Sequence, residues 1–239
     1  ALVGNWHLNG LFNDPRQPQP DQYGFDHWMA TQINASPSHE QPSNFVRNGK
    51  PVGKLDGFSC EEVAGEAIRW FGEIDGDQPF YLHVCFHEPH DPVASPKDLV
   101  DAYRSEAKDE NQAQYFANVT NMDKAVGRIV DALRHRSLID NTLIFFTSDN
   151  GPETLRRYRG AGRSFGRTGG LRGMKLHTYE GGIRVPGIIH WPARVDAGLT
   201  IDTPVSAVDL LPTVRAFAGG GAEETTAIDG TSLMPLFAG

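Results

Sequence analysis

The sequence predicts an α/β layer fold in which a largely parallel or mixed sheet lies between helices. Two apolar runs without polar alternation, residues 80–86 and 143–146, are typical of strands buried on both faces. Each run follows a segment in which apolar residues recur at helical spacing, at 59–74 and 112–136. The order helix, strand, helix, strand indicates the α/β class.

The composition describes an ordinary globular protein. Its 239 residues are 39% hydrophobic and 22% charged, and a chain of this length can bury a sizeable core. The net charge of −8 argues against nucleic-acid binding, and no apolar run approaches the roughly 18 residues of a membrane span. Cys60 and Cys85 are too few for a disulfide framework, so we interpret both as buried thiols.

Prolines, glycines and capping residues indicate where the first elements begin and end. Residues 1–58 are rich in Pro, Asn, Gly and Ser and predict a long excursion, although its aromatic residues argue against disorder. A helix is expected to begin at Ser59, with Glu62 completing a capping box, and to break at residues 75–77. The strand at 80–86 then ends in HEPHDP, whose prolines stiffen the loop that carries His90.

The later elements follow the same reasoning. The helix at 112–136 has one apolar face and ends in basic residues, which suit a helix C-terminus. The strand at 143–146 and a second apolar run at 183–191 enclose a Gly/Arg-rich segment. Asp209 is expected to cap a short helix that ends at Phe217.

Polar side chains at the ends of the predicted strands are the candidates for chemistry. Asp149 and Asn150 directly follow one strand and His90 follows another, and ligands of α/β sheets gather beyond the carboxyl ends of strands. Lys175 lies among glycines after a run of arginines. Hard oxygen ligands beside a cationic segment predict a metal site that receives an anion. The arginines of that segment are Arg156, Arg157, Arg159, Arg163, Arg167 and Arg172.

Taken singly, each candidate also has a structural interpretation. Asp-Asn-Gly is a frequent turn, His90 between prolines is compatible with a satisfied loop histidine, and Lys175 with a surface charge. His7 would then simply pack against Trp6, and the arginine segment would be a solvated loop.

The motifs together, in their order, resemble those of the sulfatases, which belong to the alkaline-phosphatase superfamily. They are GNWHLNG, PHDP after an apolar strand, NTLIFFTSDNGPE, LRGMKLHTYEGGIRVP, VDLLPT and DGTSLMPLF. Within the family, the chain looks most like bacterial arylsulfatases similar to N-acetylgalactosamine-6-sulfatase. The resemblance implies a three-layer alkaline-phosphatase-like fold and a hydrolase that cleaves a sulfate ester of an aryl or sugar alcohol.

The resemblance also implies a calcium ion, Ca2+, and a formylglycine nucleophile made from a cysteine. By position, Asp149 and Asn150 would be metal ligands, and Lys175 would contact a sulfate oxygen. His90 would lie beside the ester oxygen as general acid or sulfate contact. His7 would face the formylglycine hydroxyl and help to release sulfate. Glu180 and Arg184 also match family positions and are interpreted as a structural ion pair.

Three departures from the family pattern stand out. No Cys-x-Pro/Ala-x-Arg motif occurs, the early Asp pair of the calcium site is missing, and Asn5 stands where the family has lysine. We therefore expect a chain incomplete at both ends: residues 1–239 as the central part of one catalytic domain, with 35–57 and 151–175 as long loops on the site side. The C-terminal subdomain would be cut short, and the fragment alone inactive.

Two alternatives to a sulfatase stay open: a degenerate, non-catalytic binder of anionic glycans, and a phosphoesterase of the same superfamily. The expected partner is a small-molecule or glycan sulfate ester, with neither nucleic acid nor membrane. A periplasmic or secreted location is implied by the family alone.

Overall fold

The computed structural model describes residues 1–12, 14, 16–75, 78–154, 161–219 and 228–237. The chain divides into two compact units. Unit 1 consists of Ala1–Arg136 with Ser148–Val185, and unit 2 of Ser137–Thr147 with Pro186–Gly239.

The sheet of unit 1 has five strands: β1 (Leu2–Asn5), β2 (Trp28–Thr31), β3 (Val46–Arg47), β4 (Lys50–Pro51) and β5 (His83–Cys85). They lie in the order β4-β3-β2-β1-β5. The central strand β1 is parallel to both β2 and β5, whereas β3 and β4 add as an antiparallel hairpin. The predicted mixed sheet is thereby confirmed.

The N-terminal segment is more regular than its composition predicts. Residues 1–58 contain four strands, two of them within the expected loop 35–57, whereas the strand predicted at 80–86 covers only three residues. Burial explains the difference, because Leu2, Trp6, Trp28 and Ala30 form one buried cluster on β1 and β2. Prolines and glycines mark the turns, but the apolar side chains between them supply the core.

The helices of unit 1 are α1 (Ser59–Glu73), α2 (Lys97–Tyr103), α3 (Glu110–His135) and α4 (Glu180–Ile183). The helix α1 packs against α3 and β1, and α2 packs against α3. Asp109 caps α3, since its Oδ1 accepts a hydrogen bond from Gln112 N at 2.9 Å. Even α3, with 26 residues, lacks the unbroken apolar stretch that crossing a membrane requires, and the same holds for the other described helices.

The capping box predicted for α1 is wrong by one residue. Phe58 is the N-cap, and its N–H donates to Glu61 Oε2 at 3.4 Å, while Glu62 has no part in the cap. The Ser59 hydroxyl instead donates to Glu88 Oε1, which also accepts from Cys60 N at 3.0 Å. A buried carboxylate from a distant loop thus accepts a backbone hydrogen bond from the first turn of α1. Such a tertiary contact leaves no local signal in the sequence.

Unit 2 contains β6 (Ile144–Thr147), β7 (Gly187–His190), α5 (Leu210–Phe217) and α6 (Met234–Phe237). The strands β6 and β7 form a separate antiparallel pair, so the strand before Asp149 does not join the five-stranded sheet. Trp191 packs edge-on against Phe217, with ring centroids 4.4 Å apart. The helix ending at Phe217 is confirmed, but the Asp209 carboxylate accepts from Ser206 N and Thr231 N rather than capping α5.

Candidate functional site

The candidate site lies in unit 1, beyond the carboxyl ends of β1 and β5. These strands are parallel neighbours, with Gly4 opposite Cys85, so the loops that follow them start at the same edge of the sheet. His7 lies on the first loop and is exposed, with a φ of 50°. His90 lies on the second loop and is half-buried. A positive φ is strained for a residue other than glycine, and such residues cluster at functional sites.

Backbone hydrogen bonds join the loop carrying Asp149 and Asn150 to the turn carrying Lys175. Gly151 N donates to Gly182 O at 2.8 Å, and Lys175 N donates to Pro152 O at 3.0 Å. The two segments are therefore held together by main chain on both sides, which positions the three predicted residues without depending on their side chains.

Glycines are required at this junction because two backbone segments approach each other closely there. A Cβ on Gly151 would overlap the Gly181 carbonyl oxygen and lie 2.9 Å from its carbon. A Cβ on Gly182 would overlap the carbonyl oxygens of Met174 and His177. No side chain fits where backbones meet so closely, which gives the glycines of TSDNG and YEGG a packing reason.

The Asp149 carboxylate lies close enough to Cys85, at the end of β5, to affect the charge state of its thiol. Burial raises the pKa of the Cys85 thiol to about 11, and the nearby Asp149 carboxylate adds to that rise. Burial, with the Glu88 charge as a further cause, also raises the pKa of Cys60. Both thiols are free and protonated at neutral pH, so neither is an activated nucleophile. The interpretation as a buried thiol holds for Cys60, whereas Cys85 is only half-buried.

The oxygen donors at this edge suit a hard cation such as calcium. Asp149 is exposed and offers a carboxylate, and Asn150 offers an amide oxygen. Within the described ranges, however, no cluster of three His, Cys, Asp or Glu side chains is arranged to hold a metal. The residues present therefore fit part of a calcium site.

The cations near the site differ in what they do. Lys175 is half-buried and makes no ion pair within the part of the chain that the structure describes. Arg163 is structural, since its guanidinium donates to Val93 O and to Asn111. Arg172 lies over the Tyr179 ring, 4.1 Å from the centroid. Arg156, Arg157 and Arg159 lie outside the described residues.

The ion pair predicted between Glu180 and Arg184 is present. Arg184, the C-cap of α4, places its Nη1 3.2 Å from Oε2 of Glu180, the first residue of that helix, and both side chains are exposed. The pair spans one turn of that helix and makes no contact with a predicted site residue among the contacts described, as expected for a structural role.

Sequence reasoning missed the polar residues that surround His90. Its Nδ1 lies 3.0 Å from Asn34 Nδ2 and 2.8 Å from the Asp91 carbonyl oxygen. Behind it, His39 and His87 are buried, and burial lowers the pKa of both, that of His87 to about 4. HEPHDP was a visible signal for part of this cluster, but nothing local singles out Asn34 or His39.

The structure thus brings Asp149, Asn150 and Lys175 into one joined pair of segments and places His7 and His90 on neighbouring loops of the same sheet edge. Among the described contacts, no hydrogen bond or ion pair links any two of these five side chains. Their individual roles stay predictions.

Comparison with known proteins identifies the family and the fold of this chain. The family model "Sulfatase" matches residues 1–220. Human arylsulfatase A is 37% identical over 271 residues, covering 100% of this chain and 48% of that protein. Human arylsulfatase H is 41% identical over 163 residues, covering 68% of this chain and 28% of that protein. The chain therefore spans less than half the length of these relatives.

A solved structure, described as Ps i-CgsB in complex with k-i-k-neocarrahexaose, superposes with a TM-score of 0.83 at 30% identity. The match covers 99% of this chain and 54% of that one. A second structure, described as a complex with its substrate D-glucosamine-2-N,6-O-disulfate, has a TM-score of 0.68 at 21% identity and shows likeness of fold alone. The predicted α/β layer fold is confirmed.

Proposed function

Since the chain belongs to the sulfatase family, we propose that it carries one half of a site that hydrolyses sulfate esters. One observation carries the proposal: main-chain hydrogen bonds join the Asp149–Asn150 loop to the Lys175 turn. The segment that carries the hard oxygen donors and the segment that carries an ammonium without a described acidic partner are thereby held beside each other. This arrangement suits an anion that is bound by a cation on one side and by lysine on the other.

We propose calcium as that cation, with Asp149 and Asn150 among its ligands. When bound, calcium would withdraw charge from a sulfate oxygen. The Asp149 carboxylate and the Asn150 amide supply the oxygen ligands that calcium prefers. In the full-length protein, adding calcium should raise the thermal unfolding temperature, and Asp149→Ala should remove most of that rise. The control is Asp123→Ala, at an exposed position of α3, which should leave the rise unchanged. Equal rises in all three proteins would contradict these ligands.

The remaining residues take roles that follow from their positions. Lys175 would balance the charge that develops on the sulfate, since a compact ammonium is most effective where little else neutralises it. His90 would donate a proton from Nε2 to the departing alcohol oxygen. His7, exposed on the loop after β1, would accept a proton in the step that releases sulfate.

The nucleophile is proposed to come from outside residues 1–239. Both cysteines lack the Cys-x-Pro/Ala-x-Arg context, and both thiols are held protonated. A formylglycine elsewhere in the full-length protein would complete the site, and the fragment alone should show no turnover. Sulfatase turnover by residues 1–239 alone would contradict this.

A glycan sulfate ester is the proposed substrate. The neighbour of known structure at 30% identity holds a neocarrahexaose, which is an oligosaccharide. In this chain, Leu176, which follows Lys175, and Tyr179, four residues after Lys175, are exposed at 68% and 48% of their full accessibility. Exposed apolar and aromatic groups next to an anion site suit the apolar faces of sugar rings. A periplasmic or extracellular location is proposed on family membership, and the likeness to N-acetylgalactosamine-6-sulfatase stays a prediction.

Turnover of p-nitrophenyl sulfate and p-nitrophenyl phosphate by the full-length protein tests the activity. We expect the sulfate to be hydrolysed in preference to the phosphate. Replacing Lys175 by Met should lower kcat/KM about 10²–10³-fold, the usual loss for one electrostatic contact in a transition state. The matched control is Lys124→Met, because Lys124 is an exposed lysine on α3. Preference for the phosphate, or equal losses in both variants, would contradict the proposal.

A second candidate, binding of anionic glycans without turnover, is favoured by one observation. Asn5 stands where sulfatases have lysine, so a neutral amide replaces a cation at this edge. Binding of a sulfated oligosaccharide by a full-length protein that has no turnover, and restoration of turnover by Asn5→Lys, would establish this alternative.

A further inference from the structure

The turn that carries Lys175 contains a strained residue, Leu176. Its φ is 78°, in the left-handed region that favours glycine, where a bulky side chain is a genuine outlier. His177 N donates to Met174 O at 2.9 Å, so Leu176 is the third residue of a four-residue turn. A turn with a positive φ at its third residue usually has glycine or asparagine there. Leucine is therefore poorly suited to the backbone of this turn.

The two ends of the turn are fixed by the surrounding structure. Met174 is buried, at 6% exposed, and its sulfur accepts from the Thr154 hydroxyl at 2.9 Å. The carbonyl oxygens of Met174 and His177 approach Gly182 so closely that a Cβ on Gly182 would overlap both. With both ends held, the positive φ of Leu176 is imposed by its surroundings, which is how strained residues persist in folded proteins.

The core of the protein gains little from the side chain of Leu176. It is 68% exposed, so most of its apolar surface stays in water. Among the described non-glycine residues of positive φ, Leu176 has the one apolar side chain, and its φ is the largest. The others, at 45–57°, are His7, Gln41, Asn48 and Ser137. Strain that is not offset by packing within the fold points to a contact outside it.

The position of Leu176 suits a contact with the alcohol part of a sulfate ester. Lys175, directly before it, is half-buried, and its N–H donates to Pro152 O at 3.0 Å on the segment that follows Asn150. The turn thus has a half-buried cation followed by an exposed apolar side chain. A sulfate ester has the same polarity, since its sulfate is charged and the ring that carries the sulfate has apolar faces.

We propose that Leu176 is a specificity-determining residue, whose side chain contacts the apolar face of the ring that carries the sulfate. The inference rests on the proposed function, because it takes the sulfate to bind at Lys175. The strained turn then gives up backbone stability in exchange for an apolar contact with the substrate. Leu176 selects the alcohol part of the ester, whereas Lys175 binds the anion.

An apolar contact of this kind has a kinetic signature. The ring keeps its apolar face while the bond to sulfur breaks, so Leu176 binds the ground state and the transition state equally well. Loss of the side chain should therefore raise KM and leave kcat unchanged. Inorganic sulfate has no alcohol part, so its affinity as a competitive inhibitor should not depend on Leu176. Lys175 should affect both ligands, because both are anions.

Urea unfolding of the full-length protein tests the strain without any ligand. Leu176→Gly should lower the equilibrium constant for unfolding about two- to fivefold, because relief of the positive φ outweighs the greater freedom of glycine in the unfolded chain. Ser137→Gly is the matched control, since Ser137 is exposed with a φ of 57°, and it should lower the constant by a similar factor. A constant that is unchanged or raised in Leu176→Gly would overturn the inference.

Turnover of p-nitrophenyl sulfate by the full-length protein, with inorganic sulfate as inhibitor, tests the contact. Leu176→Gly should raise KM about tenfold, the effect of losing an apolar contact of most of a leucine side chain, with kcat and the inhibition constant of sulfate unchanged. Leu176→Asn accepts the positive φ and should raise KM equally, which separates the lost contact from a more mobile glycine. Leu176→Met keeps an apolar side chain and should keep the wild-type KM. Leu199→Gly, at another exposed leucine, is the control and should also leave KM unchanged.

The same measurements separate this inference from the proposed function. If the wild type hydrolyses p-nitrophenyl sulfate and Leu176→Gly keeps the wild-type KM, the role of Leu176 fails and the proposed function stands. If Leu176→Gly weakens the binding of inorganic sulfate as much as that of the ester, Leu176 acts through Lys175 and the inference is overturned. If the wild type hydrolyses no sulfate ester, the proposed function fails and the inference fails with it.

Discussion

His87 should make the stability of this protein depend on pH between about 6.5 and 4. Its side chain is buried, at 3% exposed, and its Nε2 lies 2.7 Å from Thr31 Oγ1. The Thr31 hydroxyl donates to Ile33 O, so its oxygen accepts from Nε2–H and leaves Nδ1 bare. Nδ1 is buried without a hydrogen-bond partner in the described structure. A second proton would have to be placed there without an acceptor for its hydrogen bond.

The pKa of His87 follows from this surrounding. The pKa of His87 is lowered from 6.5 to about 4: burial is the main cause, the Glu88 charge opposes it, and the neighbouring imidazoles of His39 and His90 add to the lowering. The folded pKa lies below the unfolded one, so above pH 6.5 both states are neutral and the contribution to stability is complete. As the pH falls, the unfolded chain takes up the proton first and the folded state loses stability.

The size of the loss follows from the two pKa values. They differ by about 2.5, and each unit corresponds to 1.36 kcal/mol, so the upper limit is about 3 kcal/mol. About 2 kcal/mol should already be lost at about pH 5, and the change should level off below pH 4. A loss of this size is a large fraction of the stability of a typical domain.

Urea unfolding of the wild type and of His87→Gln across this pH range measures the effect. Glutamine places an amide donor near Nε2 and does not titrate, so its packing cost is the same at every pH. We expect the wild type to lose about 3 kcal/mol more than the variant between pH 8 and pH 4. Parallel stability curves for the two proteins would refute the reasoning that His87 is buried in its neutral form.

Three further predictions concern the joined loops, a buried carboxylate and a helix cap. Gly151→Ala should lower the free energy of unfolding by about 1–3 kcal/mol and abolish most turnover, because the added Cβ would overlap the Gly181 carbonyl oxygen. The control for both measurements is Gly65→Ala, because open space surrounds the Cβ that this substitution adds. Burial opposes ionisation of Glu66, but bonds from His27 and Arg47 outweigh it and lower its pKa to about 2. Glu66→Gln should therefore lower the free energy of unfolding, measured in urea at neutral pH, by roughly 2 kcal/mol; the loss is smaller than for a fully buried pair because Arg47 is partly exposed. The difference from the wild type should fade as the pH drops from 4.5 toward 2. A difference that stays constant with pH would contradict the lowered pKa of Glu66. Asp109→Ala should lower the free energy of unfolding by about 1 kcal/mol through the lost cap of α3, and an unchanged value would show that the cap contributes nothing.

The sequence by itself was sufficient for the class of fold and the long helices, and it supplied the candidate site residues as predictions. Apolar periodicity is a local signal, so α1, α3 and α5 lie within a few residues of their predicted ranges. The family motifs likewise lie in short, continuous segments. They identified Asp149, Asn150 and Lys175, which the structure finds on two segments joined by main-chain bonds.

Only the tertiary structure decided which distant groups meet. Glu88 replaces the expected capping box of α1, β6 pairs with β7 instead of joining the five-stranded sheet, and Asn34 reaches His90 across 56 positions of sequence. None of these contacts has a local pattern, because each depends on where separate segments pack. A donor or acceptor that is buried far from its own neighbours takes whichever partner the fold places beside it.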